Sequence, residues 1–555
     1  MINSISVENN VNSSYCALVN KKQDSANPNF QGGVFSALLQ GVQICEQNPM
    51  INVAVIDMFS AILPRTFVES LTNWFAGFEA FRRESSGLIV NCMIPSVITL
   101  GIAELLNRAI MPNGINMASC WADSNMIDKF SNIYTNSSAD DKIQDSLKNI
   151  LGNIEGYEGD KKLAFKDVLT EEELETFSRR LKELAEKQKA EGQTNWSFNK
   201  EFKKDVKELT DEIVAKTKVY ENVKINGGGN PVKANTVEDI LKNSVQFFRE
   251  YQKSPNTTDI SEFAAKSKKL VRSKSLLGLA VVLPLAASMQ FINRWITEKT
   301  SGIKGAPIYN DYGKEDAAKI DNSKKKEGLL KQKIISMSSM LAVGVLSMMK
   351  VPSMNMLEFK GIFPTMDQAR LISTTTFMSR MAAADDKNEL AEATVRDIAT
   401  FLSLYFLGDY AAKATATIIQ KKTGTKLLND TKPFKPDEKP NSLKKAWHWF
   451  KDVNLKSSKE VLSKTEEELG GKTPNAEQKE LIKKELEKAT RYRSACQVAN
   501  LGVSLALLGL IIPIFLRKNT AKKHAKDIES AKDTVSLSNN AMQSGVKATE
   551  MAIAS

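Results

Sequence analysis

The residues Ser275–Asn293, SLLGLAVVLPLAASMQFIN, contain no charged side chain. At 1.5 Å per residue, a helix of this length extends about 28 Å, close to the roughly 30 Å of a bilayer's hydrocarbon core. Similar charge-free stretches occur at Ser85–Ala103, Ile334–Met349 and Ser494–Leu516, of which Ile334–Met349 is slightly shorter than a full span. These four stretches predict an all-α fold, that of a multi-pass helical membrane protein.

The composition of the whole chain indicates large water-facing parts besides these helices. Among 555 residues, 42% are hydrophobic and 25% are charged, and the mean hydropathy is −0.28. Between the first two apolar stretches, Asp140–Tyr251 is highly charged, and its apolar residues recur at helical spacing. Thr170 and Glu173 match a capping box that opens one such helix. This region predicts a soluble charged helical bundle inserted between the apolar regions.

Shifts in composition divide the chain into seven predicted segments. They are a disordered N-terminal arm (1–33), an amphipathic helix with the first apolar membrane region (34–115), the soluble charged helical bundle (116–265), a central membrane region with three apolar segments (266–420), a Pro/Lys-rich linker (421–455), a helical hairpin running into the last apolar segment (456–516), and a basic, then polar C-terminal tail (517–555). The third central segment is the interrupted stretch Ile398–Ile419. Phe35–Pro64 carries Glu46 and Asp57, which predicts an amphipathic or buried helix rather than a span.

The net charge of +11 is concentrated in Lys-rich runs beside the apolar stretches: Lys266–Lys274, Lys324–Lys333 and Arg517–Lys526. A juxtamembrane Lys or Arg gains about 1 kcal/mol from an anionic leaflet. The expected partner is therefore a lipid bilayer with anionic headgroups, and protein partners are expected to bind through the amphipathic helices. Nucleic acid is not expected, because these runs lack the aromatic residues on which bases stack.

The flanking charges leave the topology open. Ser275–Asn293 and Ile334–Met349 both have their strongest basic run on the amino-terminal side, which simple alternation cannot place in one compartment. Three interpretations remain: one stretch does not span, some stretches form hairpins, or these are buried helices of a large soluble protein. Pro95, Pro284 and Pro513 lie inside apolar stretches and predict helix kinks, which membrane helices tolerate.

A hexad of pattern E-A-x-x-R-[DE] precedes two apolar stretches, as Glu79–Glu84 and Glu392–Asp397. Acid-first i,i+4 pairs also close these stretches, as Glu104/Arg108 and Asp409/Lys413, the favourable order on a helix. Charges within a bilayer are costly and usually mark a pathway or a partner, so both closing pairs are candidate intramembrane ion pairs.

The alternative is a pair buried between helices or anchored at the interface. Gly408, Ala412 and Ala416 favour it, because they form a small-xxx-small face suited to close helix packing.

No catalytic, cofactor-binding or metal-binding constellation stands out. The only histidines are His448 and His524, and the five cysteines include no CxxC pair. We therefore expect no cofactor, no metal and no enzymatic activity. The first thirty residues lack an apolar signal region, so no cleavable signal peptide is expected and a later stretch would direct insertion into the membrane.

Three functions fit this pattern. The first is a non-enzymatic, multi-pass integral membrane protein that acts as a membrane-surface scaffold or binds partners. The second is a secreted translocator or pore-forming protein that is soluble before it inserts, which the moderate hydropathy would allow. The third is a small transporter that uses the intramembrane charged pairs.

Overall fold

The computed structural model describes residues 49–71, 74–112, 114–227, 229–255, 259–301, 328–348, 356–385, 387–434, 438, 440–461, 476–516, 518–519 and 522. The structure is mostly helical, at 76% helix, which confirms the coarse fold class. The predicted arm 1–33 and nearly all of the tail 517–555 lie outside the described residues, as do the first four residues of Lys324–Lys333 and part of the linker.

The helices of the structure are α1 (Pro49–Ile56), α2 (Leu63–Ser70), α3 (Trp74–Leu88), α4 (Ile94–Ile110), α5 (Ser124–Thr135), α6 (Lys142–Gly152), α7 (Glu171–Glu186), α8 (Asn195–Thr217), α9 (Val237–Gln252), α10 (Ile260–Ser301), α11 (Leu329–Ser347), α12 (Met366–Ala383), α13 (Lys387–Leu402), α14 (Gly408–Thr423), α15 (Ser442–Lys451) and α16 (Ala476–Ser504). The strands are β1 (Ile154–Glu158), β2 (Lys161–Ala164), β3 (Glu221–Ile225), β4 (Val232–Thr236), β5 (Leu428–Asp430) and β6 (Val453–Leu455).

The chain divides into two compact units. The sheet unit consists of the described residues of Ala103–Lys274 and Ala412–Val498, and the apolar unit consists of the described residues of Pro49–Ile102, Ser275–Ala411 and Ala499–Ser555. The six strands belong to the sheet unit, and most of each charge-free stretch belongs to the apolar unit.

Strands within the sheet unit correct the prediction of a purely helical bundle. An antiparallel sheet has the order β2-β1-β3-β4, and β5 pairs with β6. The Gly-rich segment Gly227–Gly229 follows β3 and precedes β4. Gly227 and Gly229 both have positive φ, which glycine adopts without steric cost. These strands are short and polar, with one face buried, so helical periodicity in the flanking sequence concealed them.

The helical part of the sheet unit forms as predicted. Thr170 and Glu173 make both hydrogen bonds of a capping box at the start of α7. Along α7 the apolar side chains Leu174, Phe177 and Leu181 are buried in a core shared with α8, α9 and the sheet. The amphipathic faces of these helices are therefore occupied within the unit itself.

Glu460 fixes the C-terminal part of the sheet unit to its sheet. The Glu460 carboxylate accepts hydrogen bonds from the backbone N–H groups of Tyr220, Glu221 and Ser457, at 3.1 to 3.2 Å. Burial raises the pKa of Glu460 above its ordinary value, and the three N–H donors oppose this shift by stabilising the charged form.

Within the part of the chain that the structure describes, five helices are long and apolar enough to cross a membrane: Met50–Ser70, Trp74–Ile110, Ile260–Thr300, Leu329–Ser347 and Glu487–Leu516. Four of them contain the four charge-free stretches. The fifth is Met50–Ser70, which the sequence predicted as amphipathic or buried, whereas Ile398–Ile419 does not meet the same length and hydropathy criteria among the described residues. Met50–Ser70 contains the charged residues Asp57, Arg65 and Glu69, but its other residues are mostly apolar.

Prolines in the apolar unit follow π-helical segments. Pro64, Pro95 and Pro513 come shortly after Asp57–Ile62, Ile89–Met93 and Leu505–Ile511. Proline has no N–H for the carbonyl four residues earlier, and in each case that carbonyl lies within the wider π-helical turn. Pro284 instead lies inside the α-helix α10.

Candidate functional site: a buried charge cluster in the apolar unit

Helices of the apolar unit expose apolar side chains. In the most apolar 18 residues of each of the five long helices, only 17% to 39% of the residues are buried. Large side chains on these helices are more than half exposed: Phe67, Trp74, Val97, Leu346 and Phe515. A water-soluble protein buries most of its large apolar side chains, so the exposure of so many of them on these helices is unusual for a surface in water.

Charged side chains, by contrast, lie inside the apolar unit. Arg380 on α12 contacts two acids: its Nη1 is 2.7 Å from Asp397 Oδ1 and its Nη2 is 3.6 Å from Glu84 Oε2. Glu84 also lies 3.4 Å from Arg65 Nη1. Asp397 is fully buried, and the other three side chains are nearly so. We call these four residues the charge cluster.

The charge cluster draws its members from four helices. Arg65 lies on α2, Glu84 on α3, Arg380 on α12 and Asp397 on α13. Arg65 is oriented by two further hydrogen bonds, because its Nη2 donates to Thr400 Oγ1 at 2.9 Å and its Nε to the Leu508 carbonyl at 3.3 Å. The cluster therefore joins helices that are far apart in sequence.

A small cavity adjoins the charge cluster. It has a volume of about 30 Å³ and is lined by Arg65, Glu69, Ala80, Arg83, Glu84, Glu392, Arg396, Pro513 and Leu516. Glu84 Oε1 and Asp397 Oδ2 accept no hydrogen bond from any residue that the structure describes. Glu84 lines this space, which has room for about one water molecule that could donate a hydrogen bond to Glu84 Oε1.

The two hexads found in the sequence meet at Arg380. Glu84 is the last residue of Glu79–Glu84, and Asp397 is the last residue of Glu392–Asp397. Both final acids contact the Arg380 guanidinium. A π-helical segment follows each hexad within a few residues, Ile89–Met93 in one case and Ser403–Leu407 in the other. The repeated pattern thus places equivalent carboxylates on one arginine.

The predicted ion-pair residues lie elsewhere. Glu104 and Arg108 are both exposed on α4. Asp409 Oδ1 accepts a hydrogen bond from Asn500 Nδ2 at 3.0 Å in the apolar unit. In the sheet unit, Lys413 Nζ donates to the Phe450 carbonyl at 3.2 Å and lies 4.7 Å from the centre of the Trp449 ring.

Burial lowers the pKa of Lys413 to about 8, and Asp452 acts in the opposite direction. Lys413 is therefore held among aromatic and backbone groups of the sheet unit.

The small residues that the sequence predicts to form one face, Gly408, Ala412 and Ala416, lie on α14 and pack closely against neighbouring residues. A Cβ added to Gly408 would stand 2.2 Å from Asn500 Oδ1 and 2.8 Å from Ser504 Oγ. In the sheet unit, Ala412 and Ala416 are buried in one cluster with Ala489 and Cys496.

The charge cluster is not predicted from the sequence. The hexads draw attention to their i,i+4 pairs, and their final acids receive no role there. A usable signal is present, because Arg380 is the only charged residue of 371–384, within the predicted central membrane region. A charged side chain in such a region usually pairs with an opposite charge.

Comparison with protein-family models, curated proteins and solved structures finds no match for this chain.

The Lys-rich run Lys266–Lys274, predicted to face lipid, makes contacts inside the sheet unit. Lys274 is fully buried, with its Nζ donating to the Cys120 carbonyl at 2.7 Å and lying 4.1 Å from the Trp121 ring centre. Lys268 pairs with Asp128. Lys274 is thus not available to a lipid headgroup.

Proposed function

We propose that this chain is an integral membrane protein of non-enzymatic type, in which the apolar unit resides in the bilayer and the sheet unit serves as a water-facing scaffold for protein partners. The large apolar side chains exposed on the long helices of the apolar unit carry this proposal. Burial of apolar surface is worth about 25 cal/mol per Å², and contiguous exposed apolar surface on this scale is rare in soluble monomers. Lipid around these helices would remove that cost.

Membrane fractionation tests the first part of the proposal. Cells that produce the full chain are broken and their membranes are washed with alkaline carbonate. We expect the protein to stay in the membrane pellet with a known multi-pass marker, while a peripheral marker is released. Recovery of a monodisperse, detergent-free protein from cytosol or medium would contradict the proposal and favour the translocator or pore-forming alternative.

Partner binding is expected to use the charged outer faces of the sheet unit, because the apolar faces of α7, α8 and α9 are buried in its core. Exposed ion pairs such as Arg180–Glu212 lie on these outer faces. Photo-crosslinkers at exposed Glu172, and at exposed Val97 as a lipid-facing control, test this part. A defined protein adduct from Glu172 alone, weakened by salt, is expected. Identical adducts from both positions would contradict it.

A small transporter is the second candidate, and the charge cluster favours it. Glu84 and Asp397 both contact Arg380 beside a polar cavity. Binding of a proton or an ion there could break one of these contacts. Purified protein in liposomes is tested for proton or ion flux, with Arg380→Lys as the test variant and Arg294→Lys, whose side chain pairs with Asp385 and Glu389, as the control. Flux that Arg380→Lys alone abolishes would support transport; absence of flux would remove this candidate.

A further inference from the structure

The helix α15 has an unusual surface for a part of the sheet unit. No residue of α15 is buried, although the helix is amphipathic. Leu443 is 81% exposed, Trp447 61% and Phe450 47%, and Ala446 is also exposed. These positions follow the i, i+3, i+4, i+7 spacing of one helix face. We call this face the outer face of α15.

The opposite side of α15 is fixed to the sheet unit. Trp449 Nε1 donates to Thr417 Oγ1 at 3.1 Å, and Lys413 Nζ donates to the Phe450 carbonyl. His448 Nε2 lies 3.0 Å from Asp430 Oδ1 and 2.9 Å from the Lys432 carbonyl. The helix is thus held in a defined position with its outer face directed away from these contacts.

Hydrogen bonds also fix both ends of α15. The Asn441 side chain caps the start by accepting from the Lys444 N–H at 2.8 Å. The end leads directly into β6, which pairs with β5. The exposed apolar face is therefore part of a rigid structure, so little further ordering is needed when it binds a surface.

The charged side chains on α15 itself are all lysines, one of which, Lys444, pairs with Glu438 before the helix. Ser442–Lys451 contains Lys444, Lys445 and Lys451 and no acid. An amphipathic helix with aromatic residues on one face and lysines beside them is typical of helices that lie in the membrane interface. There tryptophan occupies the headgroup level, and each lysine gains about 1 kcal/mol from anionic lipid.

We infer that the outer face of α15 binds an anionic phospholipid bilayer, with Leu443 and Phe450 inserted at the boundary between headgroups and acyl chains and Trp447 and the lysines at the headgroups. This inference rests on the proposed membrane location of the chain and adds a second, interfacial contact made by the sheet unit. Charge complementarity selects lipid over a second copy of the chain, because two copies would bring like-charged lysines together.

Fluorescence of a label on the outer face tests the inference. Ala446→Cys is labelled with an environment-sensitive fluorophore in a full chain whose Cys16 and Cys45 are replaced by Ser; Glu172→Cys in the same background is the control. Both proteins are placed in liposomes of phosphatidylcholine, with or without phosphatidylglycerol. We expect a blue shift for the label at position 446 that grows with phosphatidylglycerol, and none at position 172.

Two variants separate the apolar and charged contributions. Leu443→Ser with Trp447→Ser should abolish the shift in both lipids. Lys444→Gln with Lys445→Gln and Lys451→Gln should abolish only its dependence on phosphatidylglycerol. Circular dichroism of each variant checks that the helical content is kept.

Several results would overturn the inference. A label that shows no shift while the protein remains carbonate-resistant would contradict the α15 contact and leave the membrane location intact. Protein that does not float with liposomes would contradict both. An equal shift in both lipids would overturn the role of anionic headgroups, and a shift in detergent that rises with protein concentration would assign the face to a second copy.

Discussion

At the scale of single residues, Glu84 and Asp397 show how a short sequence pattern acquires meaning in three dimensions. Each is the final acid of a hexad, and each contacts Arg380 inside an apolar unit. A buried charge is tolerated only when it is paired, because desolvation costs several kcal/mol per ion. Arg380 is paired twice, so the cluster balances charge while connecting separate helices.

Removal of Asp397 is expected to destabilise the protein strongly. Asp397→Ala leaves Arg380 with one fewer buried partner and should lower the free energy of unfolding by about 3–5 kcal/mol. Asp385→Ala, at the exposed pair with Arg294, should cost less than about 1 kcal/mol. Thermal unfolding in detergent measures both, and the double variant Arg380→Met/Asp397→Leu should recover much of the loss. Equal effects of Asp397→Ala and Asp385→Ala would contradict a structural role for the cluster.

Lys413 should make the stability of the sheet unit depend on pH. Its pKa in the folded state is about 8, below the ordinary value of 10.5. Below pH 8 the folded state carries the full cost of a buried charge. Between about 8 and 10.5 the unfolded state binds more protons, so stability rises with pH. Lys413→Met should reduce this rise in denaturant unfolding series, whereas the exposed Lys421→Met should not. Parallel pH profiles for wild type and Lys413→Met would refute the assignment.

At the scale of secondary-structure elements, the sequence predicts helices well where one pattern dominates. Charge-free runs identified four of the five long apolar helices, and the Thr170–Glu173 pattern identified the start of α7. Glu46 and Asp57 led to the prediction of an amphipathic or buried helix over Phe35–Pro64, and the overlapping helix Met50–Ser70 is also long and apolar enough to cross a membrane. The strands β1 to β4 have no more than five residues each. Pairing between distant strands stabilises them, and a local pattern cannot reveal it.

The charge cluster escaped prediction for a similar reason. Its ion pairs join residues such as Glu84 and Arg380, which are almost three hundred positions apart, so no spacing rule connects them. The hexads can be recognised in the sequence, but nothing in the sequence shows that Arg380 contacts their final acids. Helix termini and apolar runs are local properties, whereas this site depends on tertiary packing.

Glycines of α14 and α16 offer a test at the element scale. Gly408→Ala would place a Cβ 2.2 Å from Asn500 Oδ1, whereas a Cβ at Gly502 meets nothing within 4 Å. Alanine normally stabilises a helix by about 0.5–1 kcal/mol relative to glycine, and overpacking costs about 1–3 kcal/mol. Gly502→Ala should therefore raise the thermal unfolding midpoint slightly and Gly408→Ala should lower it. A rise in both variants would show that α14 and α16 are not closely packed at Gly408.

At the scale of the whole molecule, the two units differ most in the apolar side chains that their helices expose. The helices α7, α8 and α9 of the sheet unit bury their apolar faces in one core and carry ion pairs such as Arg180–Glu212 on the outside. The long helices of the apolar unit expose Val97 and Leu346, while Arg380 and Asp397 are buried. This difference supports the proposal of water around the sheet unit and lipid around the apolar unit.

Charge substitution on the exposed apolar faces distinguishes lipid from water around the apolar unit. Val97 is 71% exposed within the long helix Trp74–Ile110, and Val168 is 37% exposed in the sheet unit. If lipid surrounds Val97, Val97→Lys should cost about 2.5–3.5 kcal/mol in membrane insertion and reduce the carbonate-resistant fraction. Val168→Lys should leave that fraction unchanged. In water the same Val97→Lys change would remove exposed apolar surface, so a variant that stays folded, gains solubility and loses no membrane-bound protein would exclude lipid at this face.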